Sequence, residues 1–385
     1  MVVIGAADRP SATDSQPRRR ELEIECVFGG LSPEHDISIL TGLQAAHLLR
    51  DAGTDVSLIY WTKQARFESV PSDAEAEDFA GPERAGFSAV EFTIPGGFVE
   101  PGRRRSRPLD IDVVLNCCHG GPGEDGGLDS LLRLAGMRVT GPNARSCAVS
   151  MDKLATTAVA DAIGIETIPS TPFEPGAEFA APFGPPWAVK PRFGGSSIGV
   201  EVGVDDVATI RALSQGASAR SGLVVQPYLE GWVDLNIAVR TYPRLQVSAI
   251  ERPLSDGVYD YATKYLSGAE GMESAPRELP ADLPSGIRAT IEDAAGTLAG
   301  ALQISGAPRV DFLWDGDGTV LLNEINPIPG VFGLYLWSGV GVDRVTLLTD
   351  LLTEAENQPV HPGSWNPASD GAALRSARDI ATKLA

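Results

Sequence analysis

The segment RVDFLWDGDGTVLLNEIN, residues 309–326, restricts the possible folds more than any other stretch of the chain. Two apolar runs flank Asp-Gly pairs, a strong local signal for a β-hairpin. With Asp317-Gly318 as a two-residue turn, Asp311 faces Glu324 and Arg309 faces Asn326. Residues two apart share one side of a strand, so all four side chains lie on one face. A turn at Asp315-Gly316 shifts the pairing by two positions and keeps that parity. Two carboxylates and an amide oxygen about 5 Å apart on rigid strands make an oxygen-only site suited to Mg2+. The arginine beside them offers a fixed fork of donors for a phosphate or an oxyanion. An exposed polar face is the commoner meaning of such a hairpin. Here, however, Asn326 runs into Pro-Ile-Pro-Gly, a rigid turn that can bring the Gly330 N–H toward the same spot.

A second segment, WAVKPRFGGSSIGV, places Lys190 at the end of an apolar strand, just before a glycine-serine tip. Backbone N–H groups of such a turn can cradle phosphate oxygens, and the lysine adds a point charge. The order G-x-x-x-x-G-K-[ST] is absent, so this is not a Walker A loop. Alone it reads as a flexible hairpin. Paired with the carboxylate-rich hairpin, it becomes the other half of a nucleotide clamp.

Charge and composition narrow the partners. A formal net charge of −20 over 385 residues argues against a nucleic-acid or anionic-membrane partner, since both require a basic face. It leaves ATP open, provided a few Lys and Arg converge and a cation screens the phosphates. Cys26, Cys117, Cys118 and Cys147 lack C-x-x-C spacing and read as reduced, mostly buried thiols of a cytoplasmic protein. No apolar run approaches the roughly 18–20 residues needed to span a bilayer.

Along the chain, residues 1–22 read as a disordered leader. Residues 23–142 form an α/β domain. In it LEIECVFGG is a strand, Ser32 caps the helix that follows, and DVSLIYW and DIDVVLNCCHGG are further strands. This alternation predicts a parallel sheet. Residues 68–108, rich in Gly, Pro and charge, read as irregular surface or an insertion. Residues 143–226 make a central lobe, with SMDKLATTAVADAIG as one helix and the glycine-serine hairpin after it. Residues 227–385 make a C-terminal lobe with a helix near 285–304, the carboxylate hairpin and a last helix in VDRVTLLTDLLTEA. The fold class is therefore α/β and α+β.

Six blocks in order are VFGGLSPEHDISILTG, HGGPGEDGGLDSLL, TGPNARSCAVSMDKLATT, VKPRFGGSSIGV, YDYATKYLSG and RVDFLWDGDGTVLLNEINPIPG. Together they resemble the ATP-grasp ligases, specifically the D-alanine–D-alanine ligases, over about residues 24–352. The resemblance implies an ATP-grasp fold whose two lobes clamp ATP. Lys153 and Lys190 would hold the phosphates under a lid that includes Ser197, with Gln226, Tyr228, Leu229 and Asp234 around the adenosine. Asp311, Glu324 and Asn326 would carry two Mg2+ ions, for which Mn2+ can substitute. Arg309 and Gly330 would stabilise the acyl-phosphate and the oxyanion. Glu34 would bind the first amino acid's ammonium, linked to Ser196 and Tyr265, with Lys264 near the phosphate and the second-substrate region. His119, Tyr335 and Leu336 would line the second-substrate pocket. A homodimer is also compatible with the resemblance.

The sequence departs from the family where a Thr/Ser-rich stretch normally follows the hairpin. Here it is VFGLYLW, and Tyr335 stands where a serine binds the second substrate's carboxylate. A tyrosine hydroxyl could still donate there, in a bulkier and more apolar site. The expectation is an ATP-dependent dipeptide ligase whose acceptor is other than, or broader than, D-alanine. The alternative is the housekeeping D-alanine–D-alanine ligase of peptidoglycan synthesis.

Overall fold

The computed structural model describes residues 22–81, 84–254 and 276–359, with 371, 374 and 375. All but the last residue of the expected leader lies outside them, as do Lys264 and Tyr265.

The chain begins with β1 (Ile24–Gly29), buried at every position. α1 (His35–Asp51) follows, and β1 pairs in parallel with β2 (Val56–Trp61) and β7 (Val113–Asn116). A parallel strand needs cover on both faces. One face packs Phe28, Leu58 and Leu115 against Leu43 and Leu49 of α1 and against Trp337 and Leu348 far along the chain. The other packs Val27, Ile59 and Val114 against Leu128 and Leu132.

Residues 68–108 are not irregular. They fold into β3 (Phe67–Val70), β4 (Ser88–Thr93), β5 (Gly97–Glu100) and β6 (Arg107–Pro108), all antiparallel. These extend the sheet to seven strands in the order β6-β5-β4-β3-β2-β1-β7. The strands are short and their inward positions sparse. Phe67, Phe92 and Phe98 meet edge-on or tilted with ring centroids 5.0–6.1 Å apart, a cluster formed only across strands.

Two capping expectations also change. Ser32 does not cap α1; Glu34 is its N-cap residue, without a side-chain cap. Ser32 instead accepts from the Glu34 N–H and donates to the His119 carbonyl, which leaves the Glu34 carboxylate to turn elsewhere. After the short helices α2 (Gly121–Glu124) and α3 (Gly127–Leu134), the single helix expected through SMDKLATT is two, α4 (Ala144–Met151) and α5 (Lys153–Ala162). Asp152 breaks them with extended backbone and caps Leu154 and Ala155.

The central sheet runs β10-β9-β11-β8 and is antiparallel throughout. Its strands are β8 (Thr171–Phe173), β9 (Trp187–Pro191), β10 (Glu201–Val204) and β11 (Leu223–Pro227), with α6 (Val207–Leu213) burying Ile210 among them. β9 and β10 are the expected glycine-serine hairpin. The last sheet runs β13-β12-β16-β17, from β12 (Val233–Arg240), β13 (Gln246–Val247), β16 (Arg309–Trp314) and β17 (Val320–Asn326). A two-stranded ribbon, β14 (Arg252–Pro253) and β15 (Arg277–Glu278), stands beside it. α7 (Ser285–Leu302) lays Ile287, Ile291, Ala295 and Leu298, at helical spacing, on Ile237, Phe312 and Leu322. α8 (Arg344–Asn357) closes the first core. Among the described residues, no single helix is long and apolar enough to cross a membrane.

In the carboxylate hairpin Asp311 pairs with Glu324 and Arg309 with Asn326, as expected. The turn differs. Trp314 pairs with Val320, so the loop is Asp315–Thr319, closed by Asp315 Oδ1 accepting from the Asp317 and Thr319 N–H groups. That pairing is out of step with the site, and a bulge between Asp311 and Phe312 restores it by leaving Asn323 extra on β17. Leu322 and Ile325 therefore face the core while Glu324 and Asn326 face the other side.

Candidate functional site

The three sheets surround a cavity of about 700 Å3. Sixteen of the nineteen predicted site residues line it; Lys264 and Tyr265 lie outside the described residues, and Leu336 is a correction. The Leu336 side chain sits in the hydrophobic core, and its carbonyl accepts from the Ala249 N–H. The tight 3₁₀ segment Gly330–Val340 turns it inward.

At one end β9 delivers Lys190 and α5 begins with Lys153. The Lys190 ammonium donates to Asn323 Oδ1 at 2.8 Å. Burial pushes its pKa down to about 8, with the Glu324 carboxylate opposing and the Lys153 ammonium adding to the shift. Lys153 Nζ donates to the Gly194 carbonyl at 2.8 Å and lies 3.3 Å from Glu324 Oε2. Asn323 is a site residue that sequence reasoning missed, because only the bulge turns it here. The glycine-serine tip is tied down at its root. Arg192 donates through Nε and Nη2 to the Asp152 carboxylate at 2.8 and 2.6 Å, the same carboxylate that caps α5. Beyond it Ser196 and Ser197 adopt left-handed backbone, at φ 52° and 57°.

On the hairpin face Arg309 grips Asp311 bidentately at 2.7 and 2.8 Å, and Asn326 Nδ2 donates to Asp311 at 2.9 Å. Among the described residues no group of three His, Cys, Asp or Glu side chains forms a metal cage. Two carboxylates and the Asn326 amide oxygen are instead the partial oxygen set that suits a Mg2+ ion completed by waters and phosphates. At the far end of β11, Gln226 donates to Ser170 Oγ at 2.9 Å, while its Oε1 is buried with no hydrogen-bond partner. An orphaned acceptor on a cavity wall calls for a donor from a ligand. Tyr228, Leu229 and Asp234 line the same end.

Between these ends the Glu34 carboxylate, released from capping, accepts from Ser196 Oγ across the chain. Gly120 and Gly195 give it room. A Cβ at Gly120, where φ is 64°, would lie 2.3 Å from Glu34 Oε2, and one at Gly195 would lie 3.3 Å from both oxygens. Glu124, quoted within HGGPGED but given no role from sequence, stands beside it. Burial and the Glu34 charge push the Glu124 carboxyl up to about 8, although it accepts from the Gly120 and Ile328 N–H groups at 2.7 and 2.9 Å.

His119 joins three elements. The Val331 N–H donates to Thr41 Oγ1, Thr41 to His119 Nε2, and His119 Nδ1 to the Ile328 carbonyl, at 3.1, 2.7 and 2.8 Å. That chain of donors assigns the neutral Nδ1–H tautomer. Burial pushes its pKa down to about 4. The histidine thus holds the Pro-Ile-Pro-Gly turn, and Val331 and Phe332 follow with left-handed φ of 49° and 53°.

Tyr335 behaves differently from expectation. Its hydroxyl donates to Glu251 Oε2 at 2.8 Å, so that proton is committed within the protein. Asn236 Nδ2 donates to the same oxygen at 3.1 Å, and Arg277 Nη1 lies 2.9 Å from Oε1. The Arg277 guanidinium sits over the Tyr335 ring, 4.3 Å from its centroid. Glu251 and Arg277 carried no sequence signal, being far apart and outside the six blocks.

Against known proteins, residues 23–142 match the family model described as D-ala D-ala ligase N-terminus, and residues 164–353 match D-ala D-ala ligase C-terminus. A D-alanine--D-alanine ligase of Anaeromyxobacter sp. (strain Fw109-5) is 31% identical over 80% of this chain and 87% of its own length. That of Mycobacterium ulcerans (strain Agy99) is 30% identical over 89% and 97%. Among solved structures, the D-Alanine-D-Alanine Ligase from Helicobacter pylori superposes with a TM-score of 0.72 at 26% identity, covering 89% of this chain and all of that one.

Proposed function

This chain belongs to the D-alanine–D-alanine ligase family, and we propose that it activates the carboxylate of D-alanine with ATP and joins it to the amine of a second amino acid. The observation that carries the reading is one cavity holding two lysines and a carboxylate hairpin at one end and the Glu34–Ser196 pair beside them.

In this reading the orphaned Gln226 oxygen accepts from the adenine amino group, and Lys153 and Lys190 hold the phosphates. The donor's ammonium sits by Glu34 and Glu124, where a cation relieves the repulsion between the two carboxyls. Its carboxylate oxygen attacks the γ-phosphorus, ADP leaves, and an acyl-phosphate remains. The acceptor's neutral amine then attacks the carbonyl carbon, phosphate departs, and the amine's extra proton is lost to water. Arg309 and the Gly330 N–H would stabilise the oxyanion of that second step. Mg2+ on Asp311, Glu324 and Asn326 would neutralise charge on the transferred phosphoryl group. The working compartment is the cytoplasm, where ATP and free amino acids are both present.

The names of the relatives support D-alanine as acceptor too. The commitment of the Tyr335 hydroxyl to Glu251 favours a second reading, with a different or broader acceptor. A coupled ADP-release assay over D- and L-amino acid pairs separates them. Turnover with D-alanine alone rules out the second reading, turnover with D-alanine plus other acceptors supports it, and no ADP release with any pair removes the ligase reading itself.

A further inference from the structure

The backbone that follows Gly330 is strained. Val331, Phe332 and Gly333 are left-handed in succession, at φ 49°, 53° and 58°. A β-branched residue such as valine rarely adopts that conformation, so the turn must be held against its own preference.

Two contacts made by backbone N–H groups hold it. The Phe332 N–H donates to the Pro329 carbonyl at 2.8 Å. That carbonyl and the Gly330 N–H belong to one planar trans peptide and point opposite ways, so fixing the first aims the second. The Val331 N–H donates to Thr41 Oγ1 at 3.1 Å, and the Thr41 hydroxyl donates to His119 Nε2 at 2.7 Å. His119 Nδ1 donates in turn to the Ile328 carbonyl at 2.8 Å. One hydroxyl on α1 therefore ties down both sides of Gly330, directly through Val331 and by way of His119 through Ile328. Gly330 lines the reaction cavity, whereas Thr41 is fully buried behind its wall. A valine at position 41 would fill the same space, but it would leave the Val331 N–H and His119 Nε2 without their partner.

We infer that Thr41 is a positioning residue for acyl transfer: it holds the left-handed turn and so aims the Gly330 N–H at the oxyanion. In that step the acceptor's nitrogen bonds to the carbonyl carbon, and the carbonyl electron pair moves onto oxygen. The pair then returns as phosphate leaves, and the extra proton on nitrogen goes to water. The inference rests on the ligase reading and deepens it, because it divides the two chemical steps. Amine attack needs the turn, and phosphoryl transfer to the donor's carboxylate does not.

The test is a rapid-quench single turnover with enzyme in excess over ATP and both amino acids saturating, following ADP and dipeptide separately. In Thr41→Val, ADP should form at the wild-type rate while dipeptide trails by roughly tenfold or more, the effect of a misplaced oxyanion donor. The KM values for ATP and for the donor should stay put. Thr41→Ser, which keeps the hydroxyl, should recover most of the dipeptide rate. Thr41→Cys, with a weak donor and acceptor, should fall between the two and carries the test if the valine variant does not fold. A merely structural threonine would slow ADP and dipeptide together. That result, or dipeptide keeping pace with ADP in both Thr41→Val and Thr41→Cys, overturns the inference and leaves the ligase reading standing. A wild type that releases no ADP with any amino-acid pair overturns both.

Discussion

Lys190 is a buried ammonium whose pKa of about 8 falls inside an ordinary assay range. Only its charged form attracts a phosphate, so kcat/KM for ATP should fall as pH rises through about 8. In Lys190→Arg, which stays charged, that alkaline limb should vanish even where the rate drops. Glu34→Gln keeps the bond to Ser196 within reach but removes the charge that meets an ammonium. It should raise the KM for D-alanine by roughly tenfold or more while the KM for ATP stays put. Tyr335→Ala should enlarge the cavity beside Gly330 and let acceptors with larger apolar side chains react, read from the same amino-acid panel. Legibility at this scale followed locality. Lys190, Asp311 and Glu324 could be found because each lies in a short pattern with its own chemistry. Glu251 and Arg277 could not, because they meet only after two strands and a ribbon have folded.

At the scale of elements, Asp152 serves two structures with one carboxylate, the start of α5 and the root of the glycine-serine tip. Asp152→Ala should lower stability by about 1–3 kcal/mol in urea denaturation, from the lost cap and the unpaired arginine. It should also raise the KM for ATP. Asp152→Asn, which can still cap, should recover most of the stability. The sequence SMDKLATT scores as one continuous helix because its propensities run through. The break is decided by Arg192, 40 residues later, and could not be read locally. The strands between Phe67 and Pro108 were hidden for a related reason. The first three bury only one or two side chains each and β6 none, and their shared ring cluster exists only in the assembled sheet.

For the whole molecule, buried ionisable groups set the response to pH. Burial raises Glu124 to about 8 from the usual 4.5, so the folded state binds more protons between those limits and its contribution is lost as pH rises through them. His119 is lowered from 6.5 to about 4, so its contribution is lost on acidification through that window. The two oppose each other below pH 6.5 and separate above it. Denaturation midpoints of the substrate-free protein should therefore fall between pH 6.5 and 8, with Glu124 supplying up to about 2 kcal/mol of the decline. Glu25, raised to about 8 by burial, acts in the same direction, so Glu124→Gln should flatten the slope without abolishing it. The parallel strands at the N-terminus and the site hairpin were both evident from their residue patterns. How His119 would bind the first sheet to the last was not, since the two partners of its ring, Thr41 and Ile328, come from distant parts of the chain.

The extra residue at Asn323 has a use beyond chemistry. It is a slip joint between the tip of the hairpin and the half that bears Asp311 and Glu324. The tip, Asp315–Thr319, can be relabelled, lengthened or recut without those carboxylates moving relative to one another. A fluorophore attached there would ride on the lobe as a passenger and report its motion without disturbing the site.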